Sequence, residues 1–310
     1  MKILHAIEEL AGLKGPIVLA AGTFDGVHLG HQALIRRAME EASRRGGTAV
    51  VMTFDRHPAS LVRPGNVPLL LTRNREKTAL IGETGVPALL MLGFTPEFAA
   101  IPAPEFIGSL VSSCNPLGAF CVGSSWSFGR GGDGNVAFLE AMGSGRGFAV
   151  IRIDPVQVGG LPISSTRIRT AIAEGNLPEA GACLGRPFRL TGRVVTGAGL
   201  GSKIGFPTAN IEVAGLQLPP HGVYAVKVLW GVHDLRGACN IGLRPTVDAT
   251  ASNPVVEVHL FDVSADLAGE ELSLEFVKFL RPEQKFSGLE ELKAQIARDC
   301  ADARLTSRCG

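Results

Sequence analysis

Two histidines three residues apart are the first residues in this chain whose types and spacing could do chemistry. His28 and His31 lie in residues 17–32, which read IVLAAGTFDGVHLGHQ. Imidazoles at this spacing can face the same side of a turn. They could donate hydrogen bonds to a phosphate, ligate a metal, or be a pair of half-exposed structural histidines. The elements around them decide between these alternatives.

The surrounding pattern is a strand, a glycine-containing loop and a helix, and it favours a phosphate. Residues 17–21 have the length of a buried strand, and the run stops at Gly22. Beyond Gly30, apolar residues recur at helical spacing until Gly46 and Gly47; they are Leu34, Ile35, Ala38, Met39 and Ala42. A helix that begins here points unpaired N–H groups and a partial positive charge at the strand's end. Imidazole donors at that place would stabilise negative charge on a phosphate group.

A second segment, ISSTRIR at residues 163–169, combines hydroxyl groups with arginines. Its three hydroxyl residues suit helix N-caps, and capping alone would explain them: Ser164, Ser165 and Thr166. Capping does not explain Arg167 and Arg169, because the dipole of a helix disfavours cations in its first turn unless an anion is also there. This segment therefore predicts further phosphate ligands.

The two motifs, HxGH after a GTFDG loop and ISSTxxR, resemble the signatures of the nucleotidyltransferase superfamily related to class I aminoacyl-tRNA synthetases. The resemblance implies that His28 and His31 contact the phosphates of ATP, together with Gly22 and Phe24 of the loop. It also implies phosphate binding from the opposite side by these residues: Ser165, Thr166 and Arg169. Arg167 is a weaker candidate, because its side chain can project elsewhere.

Composition limits the class of protein. A chain of 310 residues with 45% hydrophobic content allows two domains with two cores. The net charge of +1 gives no global basic surface for nucleic acid, so a small-molecule partner is favoured. Six cysteines form no CxxC pair, and no apolar run has the length of a membrane span. Because Glu8, Glu9 and Lys14 interrupt the early apolar residues, we expect no signal peptide. We expect reduced thiols, a cytoplasmic protein and no membrane partner; a homo-oligomer is left open.

The first half alternates short apolar runs with helix-like segments, which predicts an α/β domain with a doubly wound parallel sheet. The later runs are residues 48–54, 86–92, 119–123 and 148–153. Ligands in this architecture bind beyond the carboxyl ends of the strands, so three loops should converge on one crevice: residues 22–31, 55–58 and 123–129. His57 could line that crevice and contact a ligand bound there, or it could be a turn histidine held by Pro58.

The third of these loops reads VGSSWSFGR and resembles the strand-end loop VGxDFxFG of bacterial FAD synthetases. Ser125 stands at the usual acidic or amide position, where it can accept a hydrogen bond but carries no charge. Trp126 replaces a phenylalanine. With Phe128 it could offer a flat apolar wall to an isoalloxazine ring, or both could be ordinary core aromatics.

The second half is rich in β-type runs punctuated by glycine and proline, which predicts a small antiparallel barrel. The runs are residues 188–195, 223–230, 235–241, 255–261 and 272–279. A last helix should begin after Ser287 with a capping box to Glu290 and cover one end of the barrel. Its apolar face would be Leu289, Leu292, Ile296 and Cys300.

Four motifs in this half resemble riboflavin kinase: GFPTAN, NIGLRPT, VEVHLFD and FLRPEQKF. The resemblance implies that Thr208 and Asn210 hold Mg²⁺ and ATP phosphates and that Glu257 is the base for the riboflavin 5′-hydroxyl. Strand alternation puts Glu257 and His259 on one face. Flavin contacts are assigned to three further residues: Asn240, Arg244 and Arg281.

Each assignment has a structural alternative. Glu257 could be an exposed strand carboxylate. Thr208 and Asn210 could only shape a turn, and the two arginines could pair with structural carboxylates. One loop departs from the kinase pattern: residues 196–204 read TGAGLGSKI, where an acidic residue and two arginines are usual, and Lys203 is the one charge left. Lysine meets phosphate without the fork of arginine, so ATP binding could be weaker there.

The whole chain resembles the family of bacterial bifunctional riboflavin kinases and FMN adenylyltransferases. The resemblance implies a nucleotidyltransferase domain over residues 1–184 and a riboflavin kinase barrel over residues 185–310. Riboflavin, FMN and ATP would be its substrates, FMN and FAD its products, and Mg²⁺ its metal. Two rivals are a nucleotidyltransferase for another substrate and a flavin-binding regulatory protein with an impaired catalytic half.

Overall fold

The chain folds into two compact units, Met1–Ser165 and Thr166–Gly310, in a computed structural model that describes residues 1–197, 201, 204–244 and 253–306. The boundary expected between residues 184 and 185 stays a prediction.

The first unit is built on a six-stranded parallel sheet. Its strands are β1 (Lys2–Leu4), β2 (Ile17–Ala21), β3 (Thr48–Phe54), β4 (Ala88–Leu92), β5 (Leu117–Gly123) and β8 (Ala149–Ile153). They lie in the order β1-β4-β3-β2-β5-β8, and each neighbouring pair is parallel. All residues of β2 and β4 are buried, because helices cover both faces of the sheet. The doubly wound sheet is confirmed, and β1 was not expected.

Helices and short hairpins fill the connections. The helices of this unit are α1 (Leu29–Arg44), α2 (Ala59–Val62), α3 (Asn74–Glu83), α4 (Pro96–Ala99), α5 (Ala103–Ser113) and α6 (Val136–Arg146), with 3₁₀ turns at Ile7–Gly12 and Arg130–Gly132. The hairpins pair β6 (Ser127–Phe128) with β7 (Gly134–Asn135) and β9 (Gln157–Val158) with β10 (Leu161–Pro162). Alternate residues of β2 enter different cores: Leu19 packs on one face of the sheet, and Val18 packs on the other with Leu34 and Ile35 of α1. The predicted apolar stripe of α1 is thus what anchors the turn that carries the histidines.

The second unit contains a closed antiparallel barrel, which confirms the predicted architecture. Helices α7 (Ser165–Ala173) and α8 (Leu177–Leu184) precede it, and α7 begins at the last residue of the first unit. The barrel strands are β11 (Arg189–Val195), β12 (Ala209–Ile211), β13 (Gly222–Trp230), β14 (His233–Arg244), β15 (Asn253–Leu260) and β16 (Glu271–Arg281). Their order around the barrel is β11-β12-β15-β14-β13-β16.

The final helix, α9 (Leu289–Thr306), packs against β13, β14 and β16, as expected for a helix that covers the barrel. Two details of the prediction are wrong. Leu289 is 50% exposed, because it lies in the first turn before the helix meets the barrel. Ser287 bonds through its N–H (2.8 Å) and hydroxyl (2.7 Å) to Glu291, while Glu290 pairs with Lys293.

Candidate active sites

A cavity of about 500 Å³ opens at the carboxyl ends of β2, β3 and β5. The three loops that were expected to converge all contribute to its wall: Gly22, His28, His31, Pro58, Ser125 and Trp126. Ser164 and Ser165 line it as well. Backbone topology therefore brings the HxGH motif, the aromatic loop and the hydroxyl segment to one place.

His28 is the N-cap of α1, and this position fixes its tautomer. The backbone N–H of His31 donates to Nδ1 of His28 at 3.3 Å. An Nδ1 that accepts a hydrogen bond carries no proton, so the neutral ring holds its proton on Nε2. His28 is therefore a hydrogen-bond donor through Nε2 as well as a cap for the helix.

His31 lies flat against His28, with ring centroids 3.6 Å apart and an angle of 16° between planes. Loss of solvation lowers the pKa of His31 well below its usual value, and the charges of His28 and Lys77 lower it further. Two stacked imidazolium ions would repel each other, and His31 acts at neutral pH as an uncharged hydrogen-bond donor. No described residue satisfies the buried Nδ1 atom of His31.

Phe24 supports this pair, and its side chain does not line the cavity, so its contact with ATP stays a prediction. Its side chain is fully buried, its φ is 51°, and its ring centroid lies 5.0 Å from that of His31. The left-handed backbone turns the ring down into the core, and a sequence pattern does not reveal this direction.

Asp25 anchors the same loop from below, a role that the sequence did not reveal. Its buried carboxylate accepts the backbone N–H of Leu71 at 2.9 Å and of Thr72 at 3.1 Å. The hydroxyl of Thr72 accepts the N–H of Gly26 at 3.0 Å. Ser165 donates its hydroxyl to the Asp25 carbonyl oxygen at 3.0 Å, which ties the ISST segment to the GTFDG loop.

A buried lysine lies behind the cavity. The ammonium of Lys77 donates to the carbonyl oxygen of Phe54, the last residue of β3, at 2.7 Å. Burial lowers the pKa of Lys77 to about 8, and the carboxylates of Asp25 and Asp55 partly oppose that shift. Nothing in the local sequence pattern indicates that this helical lysine is buried.

The rest of the ISSTRIR segment belongs to the second unit. Thr166 and Arg169 lie on α7, and their approach to the triphosphate opposite the histidines stays a prediction. Arg167 donates through Nε to Glu179 of α8 at 2.9 Å, and a second nitrogen of its guanidinium pairs with the same carboxylate. A protein carboxylate thus balances this cation, so the argument that it required a bound anion is wrong.

Aromatic residues form a second cavity, of about 280 Å³, in the first unit. They are Phe54, Phe94, Phe98, Phe106, Trp126 and Phe128. The rings of Trp126 and Phe128 stack with centroids 4.5 Å apart and 21° between planes, and Trp126 also lines the histidine cavity. Phe128 is only 8% exposed and packs in the hydrophobic core as well as lining this cavity. The two alternatives for this residue, a cavity wall and a core aromatic, are therefore compatible.

Neither the histidine cavity nor the aromatic cavity is lined by His57. Its Nδ1 accepts the N–H of Ala59 at 3.1 Å, which is the turn role that was the alternative to flavin contact. The proline that follows directs the chain into α2, so the imidazole closes its own turn.

The barrel holds a cavity of about 280 Å³ that is lined by Glu257, Asn240, Thr208 and Arg281. Val256 and Val258 are fully buried on the opposite face of β15, which confirms the predicted alternation. Asn240 of β14 and Asn210 of β12 are both in register with Glu257. Because directly opposed residues share a face, one carboxylate lies between two amide side chains across three strands.

A further cavity of about 540 Å³ in the second unit is lined by Thr208, Asn210 and Asp266. Thr208 faces both barrel cavities, so it connects them. A hydroxyl and an amide carbonyl are oxygen donors of the kind that Mg²⁺ takes in small number beside phosphates and waters. The two predicted metal ligands thus fit the group assigned to them.

The remaining predicted residues of the barrel divide into two groups. Arg281 lines the cavity and also pairs with Asp299 of α9 through two hydrogen bonds of 2.8 and 2.7 Å, so it has the structural partner of the alternative while its flavin contact stays a prediction. Lys203 and the side chain of Arg244 lie outside the described part of the chain.

Fold and cavities together define a transferase with two separate substrate sites on one polypeptide. Two family models match successive parts of the chain: the FAD synthetase model matches residues 12–167, and the riboflavin kinase model matches residues 184–306. The chain belongs to the family of bifunctional riboflavin kinases/FMN adenylyltransferases.

Proteins described as bifunctional riboflavin kinases/FMN adenylyltransferases align with this chain over nearly its whole length. The Escherichia coli protein is 42% identical over 306 residues, 98% of this chain and 97% of its own. The Haemophilus influenzae protein is 34% identical over 305 residues, 98% of each chain. A crystal structure described as a macrolide-efflux protein from Streptococcus pneumoniae has a TM-score of 0.82 at 31% identity and covers 97% of this chain and 98% of its own. Among the described residues, no helix combines the length and apolar character needed to cross a bilayer.

Proposed function

We propose that the chain carries out two consecutive transfers in flavin cofactor synthesis. The barrel unit moves the γ-phosphoryl group of ATP to riboflavin and yields FMN and ADP. The nucleotidyltransferase domain moves AMP from a second ATP to FMN and yields FAD and pyrophosphate. The observation that carries this proposal is the presence of both family models, each with its own polar cavity, on one chain.

In the adenylyl transfer, an FMN phosphate oxygen attacks the α-phosphorus of ATP, and the bond to the β-phosphate oxygen breaks. Negative charge then grows on pyrophosphate. His28 donates through Nε2–H, and His31 is its uncharged neighbour, so both stabilise that charge. Ser165, Thr166 and Arg169 are the further phosphate ligands of this proposal. Since Asp25 and Lys77 hold the loop and the end of β3, the donors are positioned before substrate arrives.

The flavin of this half would lie against Trp126, which faces both cavities of the unit. Phe128 and Ser125 complete the predicted contact set, the first as apolar wall and the second as a neutral hydrogen-bonding group.

In the kinase reaction, the 5′-hydroxyl oxygen of riboflavin attacks the γ-phosphorus while the bond to the β-phosphate oxygen breaks. Glu257 accepts the hydroxyl proton, because it lines the cavity from β15, the strand that lies between β12 and β14. Asn240 and Arg281 are the proposed flavin contacts; Arg244 is the third. Thr208 and Asn210 would hold Mg²⁺, which neutralises phosphate charge when bound.

The domain boundary at residues 184/185 belongs to this proposal and is supported by the riboflavin kinase match, which begins at residue 184. A cytoplasmic location is supported by the five described cysteines, which are all free thiols.

Chromatography tests the function directly. The purified chain is incubated with riboflavin, ATP and a magnesium salt, and riboflavin, FMN and FAD are then separated. We expect FMN to appear first and FAD to follow. Flavin binding without release of ADP or pyrophosphate would support the regulatory rival. Turnover of CTP with glycerol phosphate, or of ATP with phosphopantetheine, in place of FAD formation would support the other nucleotidyltransferase rival.

A further inference from the structure

A second carboxylate reaches the barrel cavity from the segment that follows β16. Glu283 lines this cavity together with Glu257 and Asn240. Its side chain lies over Gly242 of β14: a Cβ atom built on that glycine would clash with Oε1 and come within 3.0 Å of Cδ. The absence of a side chain at Gly242 therefore leaves the space that the carboxylate occupies.

The backbone that carries Glu283 is held in place two residues earlier. Arg281 donates to Asp299 through Nε and Nη2 at 2.8 and 2.7 Å, and through Nη1 to the carbonyl oxygen of Pro282 at 2.9 Å. Asp299 is 5% exposed and also accepts a hydrogen bond from Gln295 at 2.8 Å. This network holds the backbone next to Glu283 at the cavity before a ligand binds, although the Glu283 side chain itself is exposed.

The carboxylate retains its hydrogen-bonding capacity. Glu283 has no hydrogen-bond or ion-pair partner in the described ranges of the chain, although it lies within a few ångströms of the Gly242 backbone. The cavity lining also includes the apolar residues Phe206, Val223, Phe286 and Ile296. A cavity with a largely apolar lining and a few polar groups suits a molecule with a flat ring system and a hydroxyl-bearing chain.

We propose that Glu283 recognises the hydroxyl groups of the flavin's polyol chain and thereby determines specificity for flavins that carry that chain. The proposal rests on the riboflavin kinase function proposed above. A carboxylate accepts hydrogen bonds from hydroxyl groups more strongly than a neutral acceptor does. The role differs from that of Glu257, because Glu283 binds substrate and accepts no proton.

The test is steady-state kinase kinetics on the intact chain, measured as FMN plus FAD formed from riboflavin. Lumiflavin, which has the ring system without the polyol, serves as a competitive inhibitor. For Glu283→Ala we expect KM for riboflavin to rise about tenfold, the effect of losing one hydrogen bond to a charged acceptor. The kcat and the inhibition constant of lumiflavin should stay within about twofold, since the ring contacts are unchanged. Glu290→Ala, on the exposed face of α9, is the matched control.

Three outcomes would overturn the proposal. An unchanged KM for riboflavin in Glu283→Ala would remove Glu283 from substrate recognition. An equal loss for riboflavin and lumiflavin would show a structural role. A large loss of kcat with unchanged KM would place Glu283 in the chemical step. Failure of the wild-type chain to form FMN would instead refute the proposed function, so the two failures are distinguishable.

Gly242→Ala provides an independent variant in which the carboxylate is displaced but not removed. The new Cβ would meet the flexible end of Glu283 rather than backbone, so the barrel should still fold. We expect the same selective rise in KM for riboflavin and no further rise when Glu283→Ala is added. A Gly242→Ala enzyme with the wild-type KM would contradict the placement of Glu283.

Discussion

The ion pair between Arg281 and Asp299 should be the main polar link between α9 and the barrel, and Asp299→Asn tests this. The side chains are only 18% and 7% exposed, and the guanidinium contacts both carboxylate oxygens. Asparagine keeps the shape and one acceptor oxygen but leaves the Arg281 charge without its anion. Residues of α9 line the barrel cavity, so weaker packing of α9 against the barrel should also weaken riboflavin binding.

The magnitude follows from burial. Removing one partner of a buried pair costs about 3–5 kcal/mol, because the remaining charge is left unpaired. Arg281 keeps its hydrogen bond to Pro282 and is partly exposed, so we expect about 3 kcal/mol at the lower end of that range. For a unit of this size, about 3 kcal/mol corresponds to a fall of roughly 8 °C in Tm.

Asp262→Asn is the matched control, since the same helix makes a second two-pronged arginine–aspartate pair at the surface. Arg304 donates to Asp262 at 2.7 and 3.0 Å, but that carboxylate is 77% exposed. Solvent screening should make its loss hardly detectable. Asparagine also tolerates the positive φ of 60° at this position.

Differential scanning calorimetry on the intact chain measures the effect, with fluorescence used to assign each transition to a unit. The chain has two tryptophans, Trp126 in the first unit and Trp230 in the second. Asp299→Asn should lower only the transition that Trp230 reports, and FAD formation from added FMN should continue at the wild-type rate. Equal shifts in Asp299→Asn and Asp262→Asn would refute the reasoning, because burial would then make no difference.

Three further predictions concern single side chains. His28→Ala should lower FAD formation about 100-fold or more through loss of a preorganised donor, while FMN formation continues; unchanged FAD output would contradict the phosphate role. Glu257→Gln should abolish FMN formation yet leave the calorimetric profile intact, and normal FMN output would remove this residue as the base. Lys77 has a pKa of about 8 in the folded chain and an ordinary value of 10.5. Between these pH values the unfolded chain binds more protons than the folded chain, so the free energy of unfolding should rise with pH by up to about 3 kcal/mol. Urea unfolding of Lys77→Met should lack that rise, and a slope equal to that of wild type would show another origin.

The main strands could be predicted because they are buried on both faces and therefore appear as continuous apolar runs. Residues 17–21 and 48–54 coincide with β2 and β3. β1 and β12 were missed because each has three residues. Lys2 and Ile3 of β1 are exposed, and β12 lies in a PTAN motif that is typical of a turn. Pairing with a neighbouring strand defines such short strands, and a local pattern does not contain that partner.

The position of His28 and Glu257 at a cavity could be predicted from motif and strand alternation, while their chemical roles stay predictions. Side-chain position could not be predicted where it depends on the backbone conformation or on a distant partner, and the ligand contacts assigned to such residues stay predictions. Phe24 turns into the core at positive φ, and His57 caps its own turn. The supporting contacts of Asp25 join residues 46 positions apart, so no local spacing reveals them.

The buried thiols have a consequence for following the two units separately. Burial raises the pKa of Cys114 and Cys121 in the first unit to about 12 and that of Cys300 in the second to about 11, and it also raises the pKa of Cys183 and Cys239. Only a thiolate reacts quickly with an alkylating reagent, so these five sulfur atoms become modifiable when the polypeptide around them opens. Timed alkylation followed by peptide mass spectrometry would therefore record, cysteine by cysteine, which half of the enzyme opens first and whether riboflavin or ATP delays it.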